Sequence, residues 1–176
     1  MIYSTDLYHP HDDPDDHYDL ATLFALPELE VKGIIIDMSN KGEIRANQRI
    51  GKKPGVVAVD QMAHLTGHAV PVALGLEEPL RSMDDTALEQ PQTCQGAVEL
   101  LLTTLRESPE PVSIFTVGSL RDVAAAFNRE PDLMRSKVKA IYINAGTGPD
   151  RFQEEWNVHL DVVAYRRILL SDLPLR

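Results

Sequence analysis

The chain has 176 residues, enough for one domain around a single core. An apolar fraction of 43% is ordinary for a globular protein, and a net charge of −10 argues against a surface that grips a phosphate backbone. No run of about 18 apolar residues offers a membrane span, so neither nucleic acid nor a membrane is expected as a partner. Met1-Ile2-Tyr3-Ser4-Thr5-Asp6 is neither basic nor apolar for long enough to read as a signal peptide. We expect a cytoplasmic protein; a leader already removed would make it secreted or periplasmic. Cys94 is the single cysteine, so no internal disulfide can form, and its helical surroundings suit a buried small hydrophobe better than a nucleophile.

The first expected strand covers residues 1–5, and an acidic stretch follows at once with Asp6, Asp12, Asp13, Asp15, Asp16 and Asp19. Carboxylates at this density repel, and several ionise together only beside a cation. Oxygen donors suit a hard ion, Ca²⁺ or Mg²⁺. The same aspartates would also suit a solvated loop capping the helix expected over 16–26. Asp6 sits where a strand stops and Asp15 and Asp16 where a helix starts, so the insert 7–14 need not separate them in space. Adjacent helical residues diverge, so Asp16 can chelate while Asp15 points elsewhere. His9 and His11 in the insert are read as loop or substrate rim, because their neighbours are hard oxygens.

A strand over 31–36 leads into Asp37-Met38-Ser39-Asn40, where Asn40 serves either a turn or a substrate hydroxyl. A helix near 43–65 and a strand over 70–74 follow. The Pro-containing, acid-rich stretch 76–91 reads as a surface loop. A helix over 93–107 and a strand over 112–116 come next. Val117-Gly118-Ser119 then opens a helix over 120–127, with Arg121 and Asp122 as surface or first-turn charges. Gly118 serves a tight turn or a close backbone approach to a ligand. After a strand over 138–143 and the run Asn144-Ala145-Gly146-Thr147-Gly148, Glu155-Trp156-Asn157 precedes a last helix near 162–170. That triplet is either a plain rim or a sugar grip, with polar groups for hydroxyls and an indole wall. Residues 169–175 run toward what looks like another strand.

Short apolar strands without alternation, separated by helices, define an α/β chain with a mostly parallel open sheet flanked by helices. In such sheets ligands bind beyond the carboxyl ends of the strands. Asp6, the 37–40 segment, the 116–119 segment and the 144–148 segment all fall on that edge.

Together these positions resemble the nucleoside hydrolases, the inosine–uridine-preferring N-ribohydrolase family. The family's N-terminal D-T-D-x-x-x-D-D signature is similar to Ser4-Thr5-Asp6, an insertion, then Asp15-Asp16. Its strand ending in G-N resembles Ile36 to Asn40, and its G-x-L-T-N-x-A helix start resembles Gly118-Ser119-Leu120-Arg121-Asp122-Val123-Ala124. Its E-F-N-x-x-x-D segment resembles Glu155-Trp156-Asn157-Val158-His159-Leu160-Asp161. The resemblance implies a Rossmann-like nucleoside hydrolase fold over residues 1–176, as the N-terminal part of a longer domain. It implies a Ca²⁺ cofactor held by Asp6, Asp16 and the Val117 carbonyl, with Asp6 also the base that activates water. Asp15, Asn40, Glu155 and Asn157 would hold ribose hydroxyls beside Trp156. The substrate would be a nucleoside or another ribosyl compound.

Ser4 stands where the family has its first Asp, and the tight turn after Asp6 is expanded. The loop 146–153 lacks an Asn that the family often carries, and a further Asp and a His of its site would follow Arg176. This chain alone is therefore expected to hydrolyse nucleosides poorly, and to associate through an uncovered C-terminal edge or as a homo-oligomer. A diverged or non-catalytic sugar-binding relative is the alternative. A Mg²⁺-dependent phosphohydrolase would want a second Asp at position 8, which is Tyr8.

Overall fold

The computed structural model describes residues 1–7, 14–38, 55–147 and 155–176. In chain order the elements are β1 (Ile2–Thr5), α1 (Asp15–Ala25), β2 (Gly33–Ile36), α2 (Val56–Thr66), β3 (Val72–Leu74) and α3 (Gly96–Glu107), which follows a 3₁₀ turn at Gln92–Cys94. Then come β4 (Val112–Thr116), α4 (Arg121–Arg129), α5 (Pro131–Lys137), β5 (Val138–Ile143), α6 (Trp156–Leu160) and α7 (Val162–Leu169). The five expected strands are all present. The first part of the helix expected over 43–65, like Asn40, His9 and His11, lies outside the described residues.

The strands form one parallel sheet in the order β3-β2-β1-β4-β5. The chain winds outward from β1 to β3, then crosses back and continues on the other side of β1. The gap between β1 and β4 is therefore the switch point at which α/β sheets open a crevice. Successive side chains of a strand point to opposite faces. Ile2, Ile35 and Ile114 enter a core shared with α3, α4, α5 and α7, whereas Tyr3, Ile34 and Ile36 enter a second core with α1 and α2. Burial on both faces explains why these strands read as unbroken apolar runs.

Two local features adjust this plan. The register between β4 and β5 shifts between Val112 and Ser113, so Val112 pairs with Val138 but Ser113 with Ala140. Val138 and Ile141 thereby reach the same core despite their odd spacing. Beyond β5, residues 174–176 pair in parallel with it: Ile141 N–H donates to the Pro174 carbonyl (2.9 Å), and Arg176 N–H to the Ile141 carbonyl (2.9 Å). On the α1 side, the stacked Phe115 and Tyr142 rings (centroids 4.4 Å apart) line an open trough of about 450 Å³ with Tyr3, Leu23 and Arg176.

Arg121 and Asp122 do stand in the first turn of α4, but the structure corrects the alternative of surface charges: both are buried. α4 is covered by α3, by α7 and by the irregular strap 76–91, whose Leu76, Leu80 and Ala87 sit in the same core. The strap is thus irregular, as expected, yet packed rather than superficial. Two short helices were not legible in the sequence. Pro131 ends α4 and opens α5, as a proline at the first helical turn does. α6 is only five residues long and starts at a Glu rather than a usual cap residue. Cys94 is buried, as expected.

Leu101, fully buried on α3, tests this packing. Leu101→Ala is expected to cost about 2–5 kcal/mol, read as a lower urea midpoint at an unchanged slope. A loss within about 0.5 kcal/mol, the scale of a surface change, would contradict the packing of α3.

Candidate active site

Register places the candidate residues in a row. Thr5 pairs with Ile36, Ser4 with Thr116, and Thr116 with Ile143. Asp6, Asp37, Val117 and Asn144 each stand one position beyond those levels. The first bonds past the strands hold them there: Asp37 N–H donates to the Thr5 carbonyl (2.8 Å), Val117 N–H to Ser4 (2.9 Å) and Asn144 N–H to Thr116 (3.0 Å).

α1 brings the partner carboxylate. Its buried residues are Asp16, Leu20 and Phe24, a stripe at helical spacing whose upper end is an acid. The Asp16 side chain accepts a hydrogen bond from the Thr5 hydroxyl, which itself accepts from Leu7 N–H (3.0 Å). Asp16 and Asp6 are within hydrogen-bonding reach of each other. Two carboxylates meet that way only with a shared proton or a cation between them. Burial, then the charges of Asp37 and Asp16, raises the Asp6 carboxyl well above the usual range. Burial raises Asp16 too, against the Thr5 bond. Asp15, one residue away, is exposed, as adjacent helical positions require.

Asp37 extends the row behind Asp6. It is buried and accepts from Ser119 N–H (2.6 Å). A Cβ on Gly118 would lie 2.8 Å from Asp37 Oδ2 and 3.1 Å from Asp6 N, so only a glycine lets the β4–α4 turn approach this closely. Asp122 lies deeper still and accepts from Leu76 N–H (3.0 Å). Burial first, and then the Asp37 charge, pushes its carboxyl up to about 7.

α6 forms the opposite rim. Glu155 caps it, accepting from Asn157 N–H (3.0 Å), Val158 N–H (3.2 Å) and Gly146 N–H (3.2 Å). The Asn157 amide donates to the Asn144 carbonyl (2.9 Å), tying the rim to the end of β5. The half-exposed Trp156 hydrogen-bonds to Asp6. From α7, the buried Tyr165 hydroxyl donates to the Gly118 carbonyl (2.9 Å). Burial raises its pKa, with Glu155, Asp37 and Asp6 adding to the effect in that order. Glu155, Trp156 and the aspartate row therefore share one neighbourhood.

Of the residues singled out from sequence, Asp6, Asp16, Val117, Glu155, Trp156 and Asn157 gather on this edge. Asp15 is on its exposed flank, and Asn40 falls outside the described residues. Asp37 was read only as part of the sheet edge and Asp122 only as a surface or first-turn charge, and Tyr165 was not singled out. Asp37 carried a visible signal, an acid directly after an apolar strand; Tyr165 carried none.

Among the described residues no group of three or more His, Cys, Asp or Glu side chains forms a metal cage. The donor chemistry nevertheless fits a hard cation. Asp6 and Asp16 are paired oxygen donors whose mutual repulsion a cation would relieve, and the Val117 carbonyl lies in the same row.

Asp122 yields a pH test. Its folded-state pKa near 7 lies above the roughly 3.9 of an unfolded aspartate, so between these values the folded chain binds more protons and stability falls as pH rises. Asp122→Asn removes this dependence. The melting temperature of the variant relative to the parent is expected to rise from pH 5 to pH 8; parallel profiles would refute the assignment.

Comparison with known proteins places this geometry. A family model described as inosine-uridine preferring nucleoside hydrolase matches residues 1–175. The pyrimidine-specific ribonucleoside hydrolase RihA of Citrobacter koseri is 29% identical over 180 residues, covering 92% of this chain and 55% of that protein. An inosine-guanosine nucleoside hydrolase structure has a TM-score of 0.69 at 22% identity, covering 99% of this chain and 60% of that one. The type III effector protein XopQ, complexed with adenosine diphosphate ribose, has a TM-score of 0.63 at 20% identity, covering 99% and 55%. At these identities the two structures speak to the fold alone. The chain spans about half the length of the curated relatives it matches. With a match running almost from end to end, across the Asp6–Asp16 pair and the α6 rim alike, the chain belongs to the inosine-uridine preferring nucleoside hydrolase family.

Proposed function

We propose that the protein carrying this chain hydrolyses the N-glycosidic bond of a ribonucleoside, with Asp6 as general base and with Asp6, Asp16 and the Val117 carbonyl as ligands of a Ca²⁺ ion. The observation that carries this reading is the meeting of the Asp6 and Asp16 carboxylates at the switch point of the sheet. A bound calcium ion would acidify a water and orient it together with the sugar hydroxyls.

The chain's own residues would act as follows. Asp6 takes a proton from the attacking water, whose oxygen bonds to the anomeric carbon. The bond to the base breaks with its electron pair on the leaving nitrogen, which then needs a proton. Positive charge grows on the sugar as that bond stretches, and the aspartate row offers fixed negative charge where it develops. Asp15, Asn40, Glu155 and Asn157 would hold ribose hydroxyls, since carboxylates accept and amides both donate and accept. Trp156 would supply an apolar wall and, through its bond to Asp6, keep the base aligned. A nucleoside is the expected substrate class.

One observation favours a second reading, a sugar-binding relative without catalysis. Glu155 takes three backbone N–H groups and the Asn157 amide is bonded to Asn144, so the rim is already engaged in shaping itself.

Two measurements test the proposal. Calcium should raise the melting temperature of the native polypeptide, corresponding to about 2.7 kcal/mol at a hundredfold excess over Kd. The rise should vanish in Asp6→Asn; an unchanged melting curve for the parent would remove the cation from the reading. In the native polypeptide, Asp6→Asn should cut calcium-dependent ribose release by about 10²–10⁴, the scale of a lost general base. Calcium binding without any ribose release would favour the second reading.

A further inference from the structure

The buried ion pair between α4 and the start of α7 is unusual in how many segments it joins. Arg121 and Asp161 are among the least exposed residues described, and Arg121 Nε donates to Asp161 Oδ2 at 2.9 Å. The rest of the guanidinium is spent on carbonyls: Leu160 at the end of α6 (2.8 Å), and Leu76 (3.3 Å) and Glu77 (3.0 Å) on the strap after β3. Asp161 is engaged as fully. It accepts from Leu80 N–H (2.9 Å) and caps α7 through Ala164 N–H (2.9 Å). One planar fork therefore fixes the strap, the end of α6 and the start of α7 against α4.

Such a pair is a poor source of stability. Desolvating two charges costs about what their attraction returns, and apolar replacements of both partners are often neutral or stabilising. What a fully bonded guanidinium does supply is position, because its donors lie in fixed directions. α6 is a single short helix, so a shift at Leu160 is passed along its axis to Trp156 and Asn157. At its other end α6 is held by Asn157 on the Asn144 carbonyl, and α7 holds Gly118 through Tyr165.

We propose that Arg121 is a positioning residue: through Asp161 and the Leu160 carbonyl it sets the height of α6, and so the placement of Trp156 and Glu155 against the aspartate row. The inference rests on the nucleoside hydrolase reading for what α6 is aimed at. Its test needs no nucleoside, so the two can fail separately.

Trp156 is the single tryptophan of the chain, and its indole N–H gives one unambiguous resonance. Asp6→Asn weakens the indole bond from the acceptor side and sets the size of the signal. The decisive variant is Arg121→Met/Asp161→Leu, which removes both charges and strands neither. It should melt cooperatively but below the parent's temperature, because the Leu80 and Ala164 N–H groups and the carbonyls of Leu76, Glu77 and Leu160 lose their partners. Its indole N–H should exchange at least about fivefold faster, as expected when a local bond opens. Its indole shift should move in the direction that Asp6→Asn produces. A cooperatively melting double variant with the parent's exchange rate and shift would overturn the proposal. If the double variant does not fold, Arg121→Lys decides by the same readout, because it keeps the charge and loses the fork. A moved indole signal supports positioning and an unmoved one overturns it. Loss of the fold in both variants would also overturn it, by making the pair a folding requirement instead.

Discussion

Parallel strands held in register end on a common line, and the residues that follow them must share the space beyond it. Here that space receives Asp6 and Asp37 from neighbouring strands, with Asp16 delivered by the buried stripe of α1. Three acids taken partly out of water repel one another. Among the described residues, the Thr5 hydroxyl donates to Asp16, Ser119 N–H to Asp37 and the Trp156 indole to Asp6. Carboxylates gathered in this way favour a bound cation or a cationic sugar.

The fold places this strain at the sheet edge and its support elsewhere. α4 carries almost no exposed surface and acts as a central post. The strap, α5 and α7 lean on it, and Arg121 and Asp161 fix where they meet. Irregular chain can be buried only when its backbone polar groups find partners. The strap meets that condition with side chains: Leu76 N–H on Asp122, Leu80 N–H on Asp161, and the carbonyls of Met83, Asp85 and Thr86 on Asn128 and Arg129.

Much of this was legible in the sequence, and for a physical reason. Strands covered on both faces are continuous apolar runs, so all five were found, and a parallel sheet then pointed to the carboxyl ends of its strands as the edge for the chemistry. Asp6, Asp16 and the Glu155–Asn157 triplet stood out because their residue types are costly or unusual where they occur. Arg121 and Asp122 did not, since a charge at a helix start is ordinary until its cover is known, and that cover comes from about forty residues away. The strap was recognised as irregular, but its core residues follow no period. Tyr165 looked like one more apolar position on an amphipathic helix, and only the turn at Gly118 gives its hydroxyl a purpose.

The register shift at the start of β4 and β5 has a meaning for sequence change at the opposite end of the sheet from the site. One residue is absorbed there, so that Val112 meets Val138 while Thr116 meets Ile143. A straight ladder would bring Tyr142 opposite Thr116 and push Asn144 about 3.3 Å further on, facing the other side. The Asn144 carbonyl that anchors Asn157 would go with it. Loss of the Lys139 codon would remove the absorbed residue and leave Thr116 opposite Ile143, whereas loss of a codon in β4 would leave two residues to absorb or carry the rim out of line. For this sheet, insertions and deletions in the β4–β5 pair are changes of phase, and their effect is felt where the strands end.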